Sequence, residues 1–106
     1  MSINKMPPQD IEVEQSVLGS ILIDADAIVK VAEILRPESF YDTKHQMIYE
    51  AMQTLYEKRM AIDAVTLTGQ LKKMKKTTNE GGASYIAQLT NAVSSSANVR
   101  QYAQMV

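Results

Sequence analysis

Apolar residues recur every three or four positions through almost the whole sequence, and this spacing constrains the fold more than any other feature. Such a period places side chains on one face of an α-helix, whereas a half-buried β-strand requires alternation, which no segment sustains. This apolar pattern is interrupted at Pro8, Pro37, Asp63, 77–82 and 94–98. Connections of only a few residues between helices are typical of a compact bundle. The sequence therefore predicts an all-α fold, a compact bundle of about six short helices.

Two consecutive prolines near the N-terminus favour extended chain. We therefore expect residues 1–8 to form a flexible tail and residues 9–106 to form one all-helical domain.

The third predicted helix opens near Asp42 and is apolar over half its circumference, which predicts that it is the central helix. The residues predicted to face the core are Ile11, Val17, Leu18, Ile21, Leu22, Ile28, Val31, Ala32, Leu35, Met47, Ile48, Ala51, Met52, Leu55, Tyr56, Ala64, Leu67, Leu71, Met74, Tyr85, Ile86, Leu89, Val93, Val99, Tyr102, Ala103 and Val106.

Aspartates mark the predicted starts of two helices. Asp24 and Asp26 precede the second apolar stripe and Asp63 precedes the fourth. At the start of a helix a carboxylate accepts hydrogen bonds from free backbone N–H groups.

The sixth apolar stripe still runs at Val106 with no Gly, Asn or Pro to close it. We therefore expect a fragment of a longer protein.

Composition excludes several classes of protein. The 106 residues contain no Cys and one His, and 11 Lys and Arg against 12 Asp and Glu give a net charge of −1. A disulfide scaffold and a Cys-ligated metal site are excluded, and the basic excess typical of an autonomous nucleic-acid-binding domain is missing. The sequence has neither a secretory h-region nor an apolar run of about 20 residues, so we expect a cytoplasmic protein without membrane contact.

The signatures of catalysis are missing from the sequence. None of the four glycines is followed by Lys-Ser or Lys-Thr, so there is no phosphate-binding loop, and no Gly-x-Ser-x-Gly elbow occurs. We expect no catalytic, cofactor-binding or metal-binding residues here, and neither binding nor hydrolysis of ATP by this chain.

Two ionisable residues fall within the apolar pattern. Glu14 lies between Val17, Leu18 and Ile21 on the helical wheel, where a carboxylate needs a partner: an Arg, a His, a Tyr hydroxyl or a free backbone N–H. His45 is interpreted as a half-buried histidine that is hydrogen-bonded within the helix packing, rather than as a pH-sensitive contact or catalytic base. Both are therefore predicted to be structural polar residues.

One basic cluster stands out: Lys72, Lys73, Lys75 and Lys76, called the lysine cluster below. It lies opposite the apolar stripe of its helix, and no aromatic residues alternate with it for base stacking. A solvated helix face is the favoured interpretation, and a phosphate-binding patch is the alternative.

Six segments follow one another in order: PPQDIEVEQSVLG (7–19), LRPESFY (35–41), the set His45, Ile48, Ala51 and Met52, IDAVTL (62–67), GGASYIAQL (81–89) and ANVRQY (97–102). Together they resemble the bacterial replicative DNA helicase family of the DnaB type. The resemblance covers residues 7–106, and each segment alone has little specificity. The sequence departs from the family in the loop at 77–80 and at Ser94-Ser95, where a proline is common.

The resemblance implies an N-terminal collar domain, truncated before a helical hairpin and a RecA-like ATPase domain. The family's full protein is a homohexamer that unwinds DNA 5′ to 3′ with ATP and Mg, at the replication fork in the bacterial cytoplasm. Its N-terminal domains pair with one another and recruit primase, while the helicase loader and DNA are bound through the full-length protein. We expect this chain alone to be a monomer or a weak dimer.

Tyr85, which follows Gly81-Gly82, is the one residue predicted to contact a partner, and packing in the core is the equal alternative. Two other functions stay open: a free-standing helical adaptor without a motor, and a nucleic-acid-binding module that relies on the lysine cluster. The second would show a steep salt dependence of DNA binding.

Overall fold

The computed structural model describes residues 8–74 and 82–106, and these ranges contain six α-helices and no strand. The predicted all-α class is therefore confirmed. Residues 1–7 of the predicted tail lie outside the described residues, and Pro8 is already the first residue of a helix, a position that proline tolerates well. The helices are α1 Pro8–Ile23, α2 Ala27–Ala32, α3 Thr43–Glu57, α4 Ala64–Lys73, α5 Ala83–Thr90 and α6 Val99–Met105, with a 3-10 turn at Pro37–Ser39.

The central helix is α1, not α3 as predicted from its broad apolar surface. It contacts α2, α3, α5 and α6, whereas α3 packs on α1, α4 and the 3-10 turn. Gly19 lets α5 approach α1 closely, because a Cβ atom at this position would collide with the main-chain oxygen of Leu89. The width of an apolar stripe therefore did not reveal which helix has the most neighbours.

The N-cap predicted at Asp63 forms and the one predicted at Asp26 does not, while Asp42, near which the third helix was predicted to open, is also an N-cap. Asp63 accepts from the N–H groups of Val65 and Thr66, both at 2.9 Å, and Asp42 accepts from Lys44 N–H at 2.8 Å. Asp26 precedes α2 with helical angles (φ −65°, ψ −18°) and its side chain accepts no capping bond, because a capping side chain requires an extended backbone.

The core is built from the apolar faces of all six helices. Three residues predicted to face it are exposed instead: Ala32, Tyr56 and Ala64. α2 ends at Ala32 and leaves the last turn of α3 uncovered, so Tyr56 contacts solvent. The buried hydrophobic residues are Val17, Leu18, Ile21, Ala27, Ile28, Val31, Leu35, Phe40, Ile48, Tyr49, Ala51, Met52, Leu55, Ile62, Leu67, Leu71, Ile86, Leu89, Val99 and Ala103.

Candidate functional site

Three side chains from three helices form a hydrogen-bonded row, which we call the polar array: Glu14 of α1, His45 of α3 and Tyr85 of α5. His45 Nδ1 lies 2.7 Å from Glu14 Oε1, and His45 Nε2 lies 2.5 Å from the Tyr85 hydroxyl. Glu14 is 1% exposed and His45 is 0% exposed, so the inner two members have no access to water. The array therefore joins helices that are far apart in the sequence.

The Glu14 carboxylate also holds the chain that leads into α3. Glu14 Oε2 accepts from Tyr41 N–H at 2.6 Å, and Glu14 Oε1 lies 3.4 Å from the N–H of Asp42. Backbone donors just before a helix favour a negative charge. Together with His45, they satisfy a carboxylate that would otherwise be costly to bury.

Hydrogen-bond partners assign the protons along the array. Gln15 donates its side-chain N–H to the Tyr85 oxygen at 3.1 Å, so the hydroxyl is free to donate to His45 Nε2. His45 then carries its proton on Nδ1 and donates it to Glu14. With the imidazole of His45 neutral, every polar atom of the polar array has a hydrogen-bond partner.

Tyr85 is not an activated nucleophile. Burial raises the pKa of its hydroxyl above 10.0, the charges of Asp42 and Glu14 act in the same direction, and the hydrogen bond from Gln15 opposes them. The hydroxyl therefore keeps its proton at neutral pH. A carboxylate, an imidazole and a hydroxyl in a row also occur in hydrolase triads, but here the imidazole is enclosed and the array orients the tyrosine.

The outer side of Tyr85 faces a small, partly exposed surface. Its ring is nearly parallel to that of His45, with an interplanar angle of 19° and 5.9 Å between centroids. Lys44 Nζ lies 4.1 Å from the centroid of the Tyr85 ring, within the range of a cation–π contact. Tyr41, whose N–H is bound by Glu14, has an exposed side chain. We call Tyr41, Lys44 and Tyr85 the tyrosine surface.

Comparison with known proteins decides the family. The model of the DnaB-like helicase N terminal domain matches residues 6–106. The chain belongs to this family. It is 42% identical over 102 residues to the replicative DNA helicase DnaB of Geobacillus stearothermophilus, covering 96% of this chain and 22% of the relative.

Two further relatives and one solved structure agree. The chain is 40% identical over 102 residues to replicative DNA helicase DnaB of Rhodothermus marinus, covering 96% of this chain and 11% of that protein. It is 39% identical over 103 residues to replicative DNA helicase DnaC of Bacillus subtilis (strain 168), covering 97% and 23%. The crystal structure of the N-terminal domain of DnaB helicase from Mycobacterium tuberculosis matches with a TM-score of 0.88 and 42% identity, over 94% of this chain and 69% of that one. This DnaB-like domain thus spans less than a quarter of each of the three helicases.

The DnaB-like domain brings together three residues that the sequence analysis treated separately. Glu14 contacts two of the partner classes left open for it, a histidine and backbone N–H groups. His45 is fully buried, not half-buried as predicted, because Phe40 and Tyr85 pack against its ring. Tyr85 has one side in the array and the other at the surface, and its contact with a partner stays a prediction.

Sequence reasoning missed three contributors to this region. Gln15 and Lys44 are immediate neighbours of Glu14 and His45 in the sequence, and this adjacency was the available signal. Tyr49 is fully buried and donates to the Leu35 main-chain oxygen at 3.1 Å. Its position one helical turn after His45 predicts that it shares the buried face.

The remaining chemistry of the DnaB-like domain is limited. Lys72 and Lys73 are exposed, and the other two members of the lysine cluster lie outside the described residues. Within residues 8–74 and 82–106, no group of three or more His, Cys, Asp or Glu side chains is arranged to hold a metal ion. No helix in the same ranges is long and apolar enough to cross a membrane.

Proposed function

We propose that this chain is the non-catalytic N-terminal assembly and primase-docking domain of a hexameric replicative DNA helicase. Membership of the DnaB-like family supports the assignment, and the polar array is the observation that carries it, since it holds Tyr85 at the surface in one orientation. The parent protein unwinds DNA 5′ to 3′ with ATP and Mg bound in another domain. It binds the helicase loader and DNA through its full length, at the replication fork in the bacterial cytoplasm.

The tyrosine surface is the proposed site of primase contact. Tyrosine contributes a large, rigid area at low entropic cost, and aromatic residues are enriched at the centres of interfaces. The hydrogen bond that Tyr85 donates to His45 and the one that it accepts from Gln15 fix its ring before a partner arrives, which lowers the entropic cost of binding. Lys44 adds a positive charge beside the ring, so the complementary partner surface is apolar with an acidic rim.

Self-assembly is the second part of the proposal. The net charge of −1 imposes little repulsion between copies, and association through protein surfaces requires no basic excess. In the proposed assembly, a helical hairpin that follows this domain supplies much of the pairing and completes the primase surface. The isolated chain is then a monomer or a weak dimer and binds primase poorly.

The test is a titration of the cognate primase into this chain and into a chain extended by about 50 native residues. The extended chain should bind more tightly, and Tyr85→Ala should weaken its binding at least about tenfold, as loss of a central tyrosine does in other interfaces. Tyr85→Phe keeps the ring and should retain most of the affinity. Tyr56→Ala removes another exposed tyrosine, in the last turn of α3. It is the matched control and should leave the primase affinity unchanged.

Two results would contradict the proposal. Unchanged primase affinity of the folded Tyr85→Ala variant would exclude the tyrosine surface. Equal affinity of the short and the extended chains would place the docking surface wholly within residues 9–106. A steep salt dependence of DNA binding by this chain, lost when the lysine cluster is neutralised, would favour the nucleic-acid-binding alternative.

A further inference from the structure

A shallow groove runs along the outer face of α4, and we call it the α4 groove. It has a volume of about 380 Å³ and lies between this helix and the first residue of α5. Leu67 and Leu71 bury the opposite face of α4 in the core, whereas Val65 is 82% exposed, more than any other large apolar side chain in the described ranges. Contiguous apolar surface left exposed in this way is typical of a site that binds another protein. The residues that line the α4 groove are Ala64, Val65, Thr68, Gly69, Lys72 and Ala83.

Gly69 is the residue of this groove that the fold itself does not explain. It lies in the interior of α4, where glycine destabilises a helix relative to alanine. A Cβ atom at Gly69 would have no neighbour within 4 Å among the described residues, so no contact inside the domain requires the missing side chain. Gly19 is the contrast, because a Cβ atom there would collide with the main-chain oxygen of Leu89. The missing side chain of Gly69 therefore leaves room at the surface, where the backbone of another molecule can approach α4 closely.

The α4 groove contains one charged side chain. Lys72 lines it near the end of α4, while the next residue, Lys73, does not. Both lysines are exposed, and within residues 8–74 and 82–106 no ion pair joins either of them to an acidic residue. The other polar side chain in the groove is already satisfied, because the Thr68 hydroxyl donates to Ala64 O at 2.7 Å. Charge complementarity therefore favours a partner that brings a carboxylate to Lys72.

We infer that the α4 groove binds an acidic amphipathic helix of another protein. The groove follows α4 from Ala64 to Lys72, about 12 Å at 1.5 Å per residue, which is the length of two helical turns. Small residues along one face let the ridge of a second helix pack closely, and an amphipathic helix lays its apolar face into such a groove. The apolar face of the partner covers Val65 and Gly69, and its Asp or Glu pairs with Lys72. The inference goes beyond the proposed function, because no residue of the tyrosine surface lines this groove.

Selection from a displayed library of helical peptides, randomised along one face, tests the inference. The unmodified chain is the immobilised target, and an excess of the soluble Gly69→Leu chain competes for every peptide that binds elsewhere on the domain. The Gly69→Leu chain should be at least as stable as the unmodified one, because leucine favours a helix and has open space at this position. Its side chain fills the groove, so peptides that bind there should survive the competition. We expect the surviving peptides to carry small apolar residues along one stripe and an Asp or Glu at one end of it.

The two neighbouring lysines then separate a contact in the groove from general charge attraction. In fluorescence anisotropy with a selected peptide, Lys72→Glu should weaken binding about tenfold, because like charges then meet in the interface. Lys73→Glu makes the same change of charge in the same turn of α4 but outside the groove, so it is the matched control and should cost less than about twofold. A peptide in which Lys replaces the acidic residue should prefer the Lys72→Glu chain to the unmodified one. Tyr85→Ala should leave the affinity for the peptide unchanged.

Several outcomes would overturn the inference. The selection could return no peptide that survives the competition, or survivors without acidic residues. Equal losses for Lys72→Glu and Lys73→Glu would reduce the effect to general electrostatics, and a single-stranded oligonucleotide that displaces the peptide would assign this face to nucleic acid. A change in the sedimentation of the Gly69→Leu chain would assign the groove to a second copy instead. None of these results bears on primase: if the extended chain binds primase through Tyr85 in each case, the proposed function stands and the α4 groove alone is misassigned.

Discussion

Replacing Glu14 by leucine is the most direct test of the polar array. The substitution removes the acceptor of His45 Nδ1–H at 2.7 Å and of Tyr41 N–H at 2.6 Å, and leucine is too apolar to replace either bond. Each buried donor left without a partner costs about 1–3 kcal/mol. The burial of extra apolar surface offsets only part of this loss. We therefore expect Glu14→Leu to lower the free energy of unfolding by about 3 kcal/mol.

Thermal and urea denaturation measure this loss against two comparison variants. For a domain of this size, 1 kcal/mol corresponds to roughly 4–8 °C in Tm, so the expected drop exceeds about 10 °C. Glu14→Gln keeps one oxygen acceptor and should lose less. Glu12→Leu makes the same substitution at an exposed position of the same helix and should change stability by less than about 0.5 kcal/mol.

A double substitution separates the array from simple burial. Replacing both Glu14 and His45 by apolar residues removes donor and acceptor together, so the two losses should not add, with a coupling of about 1 kcal/mol or more. An unchanged midpoint for Glu14→Leu would refute the reasoning, because it would mean that the carboxylate is not buried between α1 and α3. Equal losses for Glu14→Leu and Glu12→Leu would refute it as well.

Four further outcomes are expected. Gly19→Ala should destabilise by about 1–3 kcal/mol in urea denaturation through overpacking against α5, whereas Gly69→Ala, with open space around it, should stabilise slightly. Arg59→Gly should raise stability by about 1 kcal/mol in the same assay by relieving the positive φ. Burial raises the pKa of Tyr49 and Tyr85 above 10.0, so the stability that they contribute is complete below pH 10. It is lost as pH rises through those higher values, and the absorbance of tyrosinate should appear over the same pH range. Neutralising the lysine cluster to Gln should leave the thermal midpoint and self-association nearly unchanged.

Local signals in the sequence predicted the helices well, because they depend on neighbours within a few residues. The N-cap at Asp63 required only an aspartate before an apolar stripe and a partner three residues later. The failure at Asp26 has the same origin: the turn from Asp24 holds it in a helical conformation, and residue type does not report that angle. Periodicity likewise did not reveal that α2 stops too early to cover Tyr56.

The polar array was only half predictable. A helical wheel indicates that Glu14 is buried, since it depends on spacing within one helix. It does not indicate which residue meets the carboxylate, because His45 lies 31 positions later and Tyr85 is 40 positions beyond His45. Those contacts depend on how α1, α3 and α5 pack, which the sequence analysis expressed only as a set of possible partner groups.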